Sequence, residues 1–366
     1  MENKIYLDNA ATFRGNFNDY NANSLYADEQ KEIVEEARKK ISYVINCTPE
    51  EIFFTSGGCE ANSWALQGVA RANKDRKKII TTPIEHASVL NCCKFLEEEG
   101  YEIVYLKVDE FGRIDFDDLH EQIDHETLLV SVMHVNNEIG TIQNISDIGL
   151  LAHEYGALFH TDCVQSFGKL KINVRAQHID LLSASGHKNG APYGIGFLYI
   201  KDKSKIKPLI FGGSQEQGRR GGTTNVEGIK DFAESVQLSE DKLLDSVIGI
   251  VELNLYFNEL VKKNFSEFES RFNSSEVGYA GIISIGFKGI NAEDLVIFLE
   301  GYGVLVSAGS ACSAGEKSVS HVLKAIGVPE DFGTIRISLS SLNTREEIEE
   351  LVRLIRTYIN LTKETE

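Results

Sequence analysis

Short runs rich in β-branched and aromatic residues alternate with helical patterns from about residue 27 to about residue 200. This alternation predicts an α/β fold with a largely parallel sheet. The expected strands are residues 52–55, 78–81, 101–108, 128–135, 157–161, 181–184 and 195–200. Most of these runs are followed by a glycine-rich or polar turn. Active-site residues are therefore expected where the strands end.

The pattern changes after Thr223, where long helical stretches begin. These occupy residues 227–265 and are followed by apolar runs at 282–287, 304–306 and 334–339, with a helix from Glu293. We expect this part to form a smaller α+β domain, with the boundary inside the helical stretch near residue 240. The predicted large domain is residues 16–240, and the predicted small domain combines residues 1–15 with residues 241–366.

The composition argues against several classes of partner. The 366 residues include 37 basic and 55 acidic side chains, a formal charge of −18, which disfavours nucleic acid or an anionic membrane as the main partner. The first residues lack a basic segment followed by an apolar stretch, and no later run approaches membrane-spanning length, so we expect a cytoplasmic protein. The six cysteines form no Cys-x-x-Cys pair, so neither a disulfide framework nor a zinc site is expected.

A candidate phosphate site lies at residues 55–62, where an apolar strand leads into a helix. Backbone N–H groups around Gly58 and Cys59, together with the helix dipole, are suited to hold a phosphate. A plain strand-to-helix turn, in which the glycines only permit positive φ, explains the same residues equally well. The later segments have to decide between these readings.

Two polar clusters follow neighbouring strands further along the chain. Asp162 ends one run, and Ser185, His187 and Lys188 end the next. A carboxylate at Asp162 could pair with a protonated pyridine nitrogen, and the Lys188 amine could form an imine with an aldehyde. The alternatives are that Asp162 caps a helix starting near Val164 and that Lys188 is a surface lysine.

Two other strand ends carry candidate groups. His86 lies where a strand gives way to a helix, so it could stack on a cofactor ring or move protons near neutral pH, or it only caps the helix. Asn137 follows the run 128–135, and its amide could bind a ring oxygen or a substrate carboxylate, with a simple turn as the alternative.

The second domain supplies two more candidates. Cys312 lies in a loop of small residues (307–315) that offers no apolar wall, which favours an exposed, reactive thiolate over a buried structural cysteine. Arg336 interrupts an apolar strand, and its guanidinium needs an anionic partner, either a bound carboxylate or a structural ion pair.

Taken in order, these segments resemble the cysteine desulfurases of the NifS and IscS type, which are class V aminotransferases with the pyridoxal-phosphate-dependent transferase fold of type I. The matching segments are residues 6–12, 55–62, 85–89, 135–140, 162–165, 185–188, 215–223, 309–312 and Arg336. The resemblance implies a homodimeric enzyme that uses pyridoxal 5'-phosphate to convert L-cysteine to L-alanine. It also implies that the sulfur becomes a persulfide on Cys312 and then passes to a sulfur-acceptor protein for iron–sulfur cluster assembly or thiolation.

The resemblance further implies a role for each site residue. Lys188 would join the cofactor aldehyde, Asp162 would pair with the pyridine nitrogen, and Gln165 would bind the ring hydroxyl. His86 would stack on the ring and serve acid–base steps. Asn137 and Arg336 would hold the substrate carboxylate. The phosphate would be held by Gly58, Cys59, Ser185 and His187, with Thr223 reaching across from the partner subunit.

The chain departs from the family pattern at three places. Cys59 stands where a threonine hydroxyl usually meets the phosphate, and a thiol is a weaker donor. Tyr193 replaces a lysine, and residues 361–366 form an acidic end that puts delivery to a scaffold in doubt. Two rival functions stay open: another class V enzyme, such as a selenocysteine lyase or an aminotransferase, and a weakly active relative that binds a sulfur-transfer partner.

Overall fold

The computed structural model describes residues 25–309 and 320–363. Its larger sheet contains seven strands: β1 (Ile52–Thr55), β2 (Lys78–Thr81), β3 (Glu102–Tyr105), β4 (Thr127–Ser131), β5 (Leu158–Asp162), β6 (Leu181–Ser185) and β7 (Gly196–Ile200). Their order is β1-β7-β6-β5-β4-β2-β3. β7 is antiparallel to both of its neighbours, whereas the other neighbouring pairs are parallel. The predicted α/β class with a mainly parallel sheet is confirmed.

Both faces of this sheet are covered by helices, because adjacent residues of each strand point to opposite sides. Phe53 packs in a cluster with Trp64, whereas Phe54 packs in another with Ile41. The Trp64 side is covered by α2 (Gly58–Ala72) and α3 (Ala87–Glu98). The other side is covered by α1 (Leu25–Val44), α4 (Phe116–Gln122), α5 (Ile145–Glu154) and α7 (Val226–Asp241), and the single turn α6 (Gln215–Gly218) precedes α7.

A second core is built on four antiparallel strands. These are β8 (Ser270–Phe272), β9 (Ile282–Lys288), β10 (Ser307–Ala308) and β11 (Phe332–Ser338), in the order β10-β11-β9-β8. Ile285 and Ile335 on one face cluster with residues of α8 (Leu243–Asn264), α9 (Ala292–Gly301) and α11 (Arg345–Lys363). Arg336 and its cross-strand partner Ser284 fall on the opposite, polar face because side chains alternate along a strand.

The chain passes from the first core to the second at Lys242, where α7 ends and α8 begins. The helix α10 (His321–Ala325) joins the two parts. Its Val322 clusters with Ile84 and Ile139, which lie in the loops after β2 and β4. None of the helices in the described ranges is long and apolar enough to cross a membrane.

Several predicted elements differ from the observed ones, among them the strand expected at residues 101–108, of which only Glu102–Tyr105 is observed. The strand expected at residues 128–135 ends at Ser131, and beyond it Val132 N and His134 N still donate to carbonyls of β5 without forming a regular ladder. Residues 304–306 are not a strand, since β10 begins at Ser307. The helix expected near Val164 is a series of turns.

Candidate active site

A cavity of about 900 Å³ lies between the two cores, at the edge of the larger sheet where the parallel strands end. Predicted residues that follow or end β1, β2, β4, β5 and β6 line it, and Arg336 lines it from the second core. The residues from the first core are Gly58, Cys59, His86, Asn137, Asp162, Gln165, Ser185, His187 and Lys188. Thr223 lies outside this lining. Cys312 lies outside the described residues.

Asp162 is a buried carboxylate at the end of β5, only 4% exposed. Its Oδ1 accepts a hydrogen bond from Val164 N at 2.9 Å, and its Oδ2 accepts one from Asn62 Nδ2 at 2.7 Å. Burial raises the pKa of Asp162, although these hydrogen bonds and the nearby His86 oppose the shift. Within the described ranges no lysine or arginine is paired with it. Such a carboxylate is suited to a cationic N–H donor held in the cavity.

The N-terminus of α2 forms an anion-binding wall of the cavity. A Cβ atom at Gly58 would lie 2.7 Å from Cγ2 of Val164 and 3.5 Å from Cβ of Ser185, so a side chain there would block this close approach. Ser185 Oγ and His187 Nδ1 are 3.0 Å apart beside it. The unpaired N–H groups of a first helical turn, a hydroxyl and an imidazole together fit a phosphate.

His86 both caps a helix and lines the cavity. It is the N-cap of α3, where its Nδ1 accepts from Ser88 N at 3.1 Å and lies 2.8 Å from Ser88 Oγ. Because Nδ1 accepts from a backbone N–H, the neutral imidazole carries its proton on Nε2. Asn62 Nδ2 also donates to Ser88 Oγ at 2.9 Å, so one amide connects His86 with Asp162.

Lys188 lies in the 3₁₀ turn Gly186–Asn189 that follows β6, and its side chain is exposed to the cavity. Burial, with Lys188 and Lys169 nearby, lowers the pKa of His187. The ring of Tyr193 stacks on His187, with the ring centroids 5.5 Å apart. Tyr193, which departs from the family pattern, is 87% exposed. It therefore contacts His187 from the solvent side of the cavity wall.

Arg336 extends from the polar face of β11 into the same cavity. Its Nη1 donates to the Asn137 carbonyl at 3.1 Å, and its Nη2 donates to Ser307 Oγ at 3.0 Å. Its Nε is buried and has no hydrogen-bond partner. Among residues 25–309 and 320–363 no carboxylate pairs with this guanidinium, so the alternative of a structural ion pair does not hold there. A bound carboxylate would satisfy it.

The lining also includes residues that the motifs did not single out, among them Asn62, Lys169 and Tyr279. Asn62 lies one helical turn after Gly58, and this spacing was a signal in the sequence. Lys169 carries no local signal, because its neighbour Tyr279 comes from the second core. Long-range contacts of this kind are not visible in one sequence.

The chain is similar to known proteins over nearly its whole length. The family model described as Aminotransferase class-V matches residues 5–351. The chain is 41% identical over 363 residues to the "Putative cysteine desulfurase IscS 1" of Bacillus subtilis, covering 94% of this chain and 96% of that protein. It is 40% identical over 391 residues to the "Cysteine desulfurase IscS" of Clostridium botulinum, with 100% and 96% covered. A solved structure described as a NifS-like protein superposes with a TM-score of 0.88 at 33% identity, covering 96% of this chain and 94% of that one.

Proposed function

This chain belongs to the class-V aminotransferase family, as its motif order predicted, and from that premise we propose that it is a pyridoxal-phosphate-dependent cysteine desulfurase. It converts L-cysteine to L-alanine and places the sulfur on Cys312 as a persulfide. The observation that carries this proposal is the single cavity that gathers Asp162, Lys188 and Arg336. It offers a partner for a ring nitrogen, an amine for an aldehyde and a guanidinium for the carboxylate of an amino acid.

The residues of the cavity fit pyridoxal phosphate. The phosphate fits the N-terminus of α2, Ser185 and His187, where Gly58 has no side chain to block it. The buried carboxylate of Asp162 fits the protonated ring nitrogen. When bound, the cofactor supplies an aldehyde that joins Lys188 and a ring that takes up electrons from the substrate Cα. Gln165 holds the ring hydroxyl.

Arg336 and Asn137 orient the substrate. The unpartnered Nε of Arg336 and its two Nη atoms present a planar donor set to the carboxylate of cysteine, and the side chain of Asn137 lines the cavity beside it. Because the guanidinium is tied to the Asn137 carbonyl, the two substrate-binding residues keep a fixed relation to each other.

Two groups move protons at the reacting carbons. Lys188 Nζ accepts the proton from Cα of cysteine and later returns it to that carbon, and His86 serves acid–base steps through Nε2, because its Nδ1 accepts from Ser88 N. The hydrogen bonds from Ser88 fix the His86 ring, so only Nε2 is available for transfer. Both residues line one cavity.

Cys312 accepts the sulfur atom, a role that rests on the motif because this residue lies outside the described ranges. Its thiolate forms a bond to the substrate sulfur while the substrate Cβ–S bond breaks, and the electron pair of that bond stays with carbon. The proton of the Cys312 thiol passes to Cβ and the proton held by Lys188 returns to Cα, which gives alanine. One thiol and cysteine become one persulfide and alanine, so the step needs no external oxidant.

An anaerobic assay tests the proposal. Purified protein, pyridoxal phosphate and L-cysteine are expected to give alanine and, with a thiol reductant, sulfide in equal amounts. Mass analysis should find one added sulfur on the peptide that contains Cys312. Cys312→Ala should keep the visible absorption of the bound cofactor and lose sulfide release, whereas Cys47→Ala, a cysteine outside the cavity, should behave as wild type. Alanine release that survives Cys312→Ala would favour another class V enzyme.

We propose that the enzyme is a homodimer in which Thr223 completes the phosphate site of the partner. Thr223 is exposed and lies outside the cavity of its own chain. Phe211, which precedes the same segment, is 78% exposed and offers a second copy one apolar side chain to cover. Sedimentation should give twice the chain mass, and Thr223→Ala should weaken cofactor binding without changing that mass.

Two other features belong to the same proposal. The first core corresponds to the large domain, residues 16–240, and the second to the small domain, residues 241–366 together with residues 1–15, of which residues 1–15 lie outside the described ranges.

The five cysteines in the described residues are free thiols, which fits the reducing cytoplasm. There the persulfide passes to an iron–sulfur scaffold or a thiolation protein.

A further inference from the structure

Lys169 is a second lysine in the cavity, and the mechanism above does not use it. It lies half-buried on the turns after β5. Its Nζ donates to Gln165 Oε1 at 3.2 Å and lies 5.9 Å from the ring centre of Tyr279, which belongs to the second core. The side chain therefore runs between the residue that holds the ring hydroxyl and the opposite wall of the cavity.

The contact with Lys169 fixes which way the Gln165 amide points. An ammonium group has donors and no acceptor, so it can bond only the carbonyl oxygen of the amide. The Nε2 group of Gln165 is then left as a donor for the cavity, which is the group that a ring hydroxyl or phenolate oxygen requires. If Lys169 were removed, the amide could rotate and present its oxygen instead.

The surroundings of Lys169 also make its charge felt in the cavity. The groups that face it are Lys188 and His187 from the turn after β6, Tyr279 from the second core and Gln165 from its own segment. Burial and the neighbouring Lys188 lower the pKa of Lys169 to about 8, so it is still mostly protonated at neutral pH. Among the residues that the structure describes, no carboxylate pairs with it. Its charge is thus available to an anion bound in the cavity.

We propose that Lys169 is a positioning residue: it fixes the Gln165 amide with Nε2 toward the ring hydroxyl of the cofactor and keeps that oxygen anionic. A cation near this oxygen would favour loss of its proton, which the visible absorption of the bound cofactor reports. The inference rests on the proposed cofactor site, and it concerns a residue that the family motifs did not single out.

The test is a pH titration of the visible absorption of the bound cofactor, together with its dissociation constant. Lys169→Met keeps the apolar stem and removes donor and charge. It should raise the midpoint of the titration by about one pH unit, because a neighbouring cation is lost, and weaken cofactor binding roughly tenfold. Lys169→Arg keeps donor and charge and should stay near wild type. Lys171→Met, an exposed lysine two residues away, is the matched control.

A double-mutant cycle separates positioning from packing. If Lys169 acts through Gln165, then Gln165→Leu should remove most of the effect of Lys169→Met on cofactor affinity, so the two changes should not add. Additive effects, or a Lys169→Met protein that titrates like Lys171→Met, would overturn the inference. If Lys169→Met does not fold by circular dichroism, Lys169→Gln, which keeps a donor without the charge, replaces it. Failure of the wild type to bind pyridoxal phosphate would instead defeat the proposed function.

Discussion

The two cores differ in whether they bury charged side chains. The first buries several ionisable groups, among them Glu85, His134, His160 and Asp162. In the second, the buried polar residues within the described ranges are Asn273, Ser284 and Thr334, none of which carries a charge. Apart from Arg336, which lines the cavity, its charged residues such as Lys288 and Glu350 lie at the surface.

This difference assigns a separate task to each core. The first core holds its polar side chains from several elements at once, as with Asp162, which is fixed by its own turn and by α2. It is therefore preorganised for a charged cofactor. The second core is an apolar body that presents one guanidinium on the polar face of its sheet, so it can contribute to substrate binding without holding the cofactor.

Replacing one buried phenylalanine in each core tests this division and should give the largest effect. Phe159 and Phe287 are both fully buried, one in each core, and Trp64, the single tryptophan, reports the first core alone. Phe159→Ala should lower the unfolding free energy read from Trp64 fluorescence in urea by about 3–5 kcal/mol. Phe287→Ala should leave the urea transition read from Trp64 fluorescence nearly unchanged. It should instead shift a transition that circular dichroism detects at a lower urea concentration. Equal shifts at Trp64 would show that the cores unfold as one.

Arg336→Lys tests whether the second core serves the substrate only. A lysine keeps the charge but loses the planar, bidentate donor set, so the KM for cysteine should rise about 10–100-fold. The dissociation constant of the cofactor should not change. Arg271→Lys, on β8 of the same sheet, provides the control. A parallel loss of cofactor affinity in Arg336→Lys would break the proposed division.

The buried histidines make the first core sensitive to acid. Burial lowers the pKa of His160 to about 3, so in the folded state it stays neutral where the unfolded chain, with a pKa near 6.5, becomes protonated. Its contribution to stability is present above about pH 6.5 and is lost as the pH falls toward 3. Between pH 7 and pH 5 the loss is about 2 kcal/mol.

His160→Gln should remove that part of the pH dependence while it keeps polar partners for Ser131 and Ser183, whose hydroxyls meet the two ring nitrogens. The readout is the unfolding free energy from Trp64 fluorescence at pH 7 and pH 5. The exposed His120→Gln should keep the wild-type difference. An unchanged difference in His160→Gln would locate the acid sensitivity elsewhere.

Cys59→Thr is the smallest expected effect and concerns how completely the first core is preorganised. A hydroxyl donor at the N-terminus of α2 should tighten cofactor binding roughly three- to tenfold, the worth of one hydrogen bond. Cys59→Val has nearly the same shape and no donor, so it should not gain affinity. Equilibrium dialysis measures both. Equal affinities in the two variants would mean that the phosphate does not use this position.

Much of the fold could be predicted because the local patterns agree with the final packing. The strands at residues 52–55 and 78–81 are observed at the predicted bounds, since strands buried on both faces are short, continuous apolar runs. The strand predicted at 101–108 is β3, Glu102–Tyr105, because Val108 leaves the sheet to form a bridge with Ile114. Apolar character alone does not show where a strand loses its neighbour.

The candidate site divides in the same way. Asp162, Lys188 and His86 could be predicted because each ends or follows a strand, where the topology of a parallel sheet brings side chains together. Asn62 has only its spacing after Gly58 as a signal and Lys169 has none, since their importance lies in contacts with residues far away in the chain: Asp162 for the first and Tyr279 for the second. The polar orientation of Arg336 follows from strand alternation, but the missing partner of its Nε is a fact of packing.

The close approach at Gly58 has a consequence for how this protein can vary. A methyl group there has no room, with the Val164 side chain 2.7 Å from it, whereas a methyl group at Gly249 on α8 would meet nothing within 4 Å. In a library of random variants, substitutions at Gly58 should disappear under selection for function, while Gly249→Ala should persist and even stabilise its helix by roughly 0.5–1 kcal/mol. Gly58 is therefore expected to tolerate almost no substitution, whereas Gly249 is expected to tolerate many.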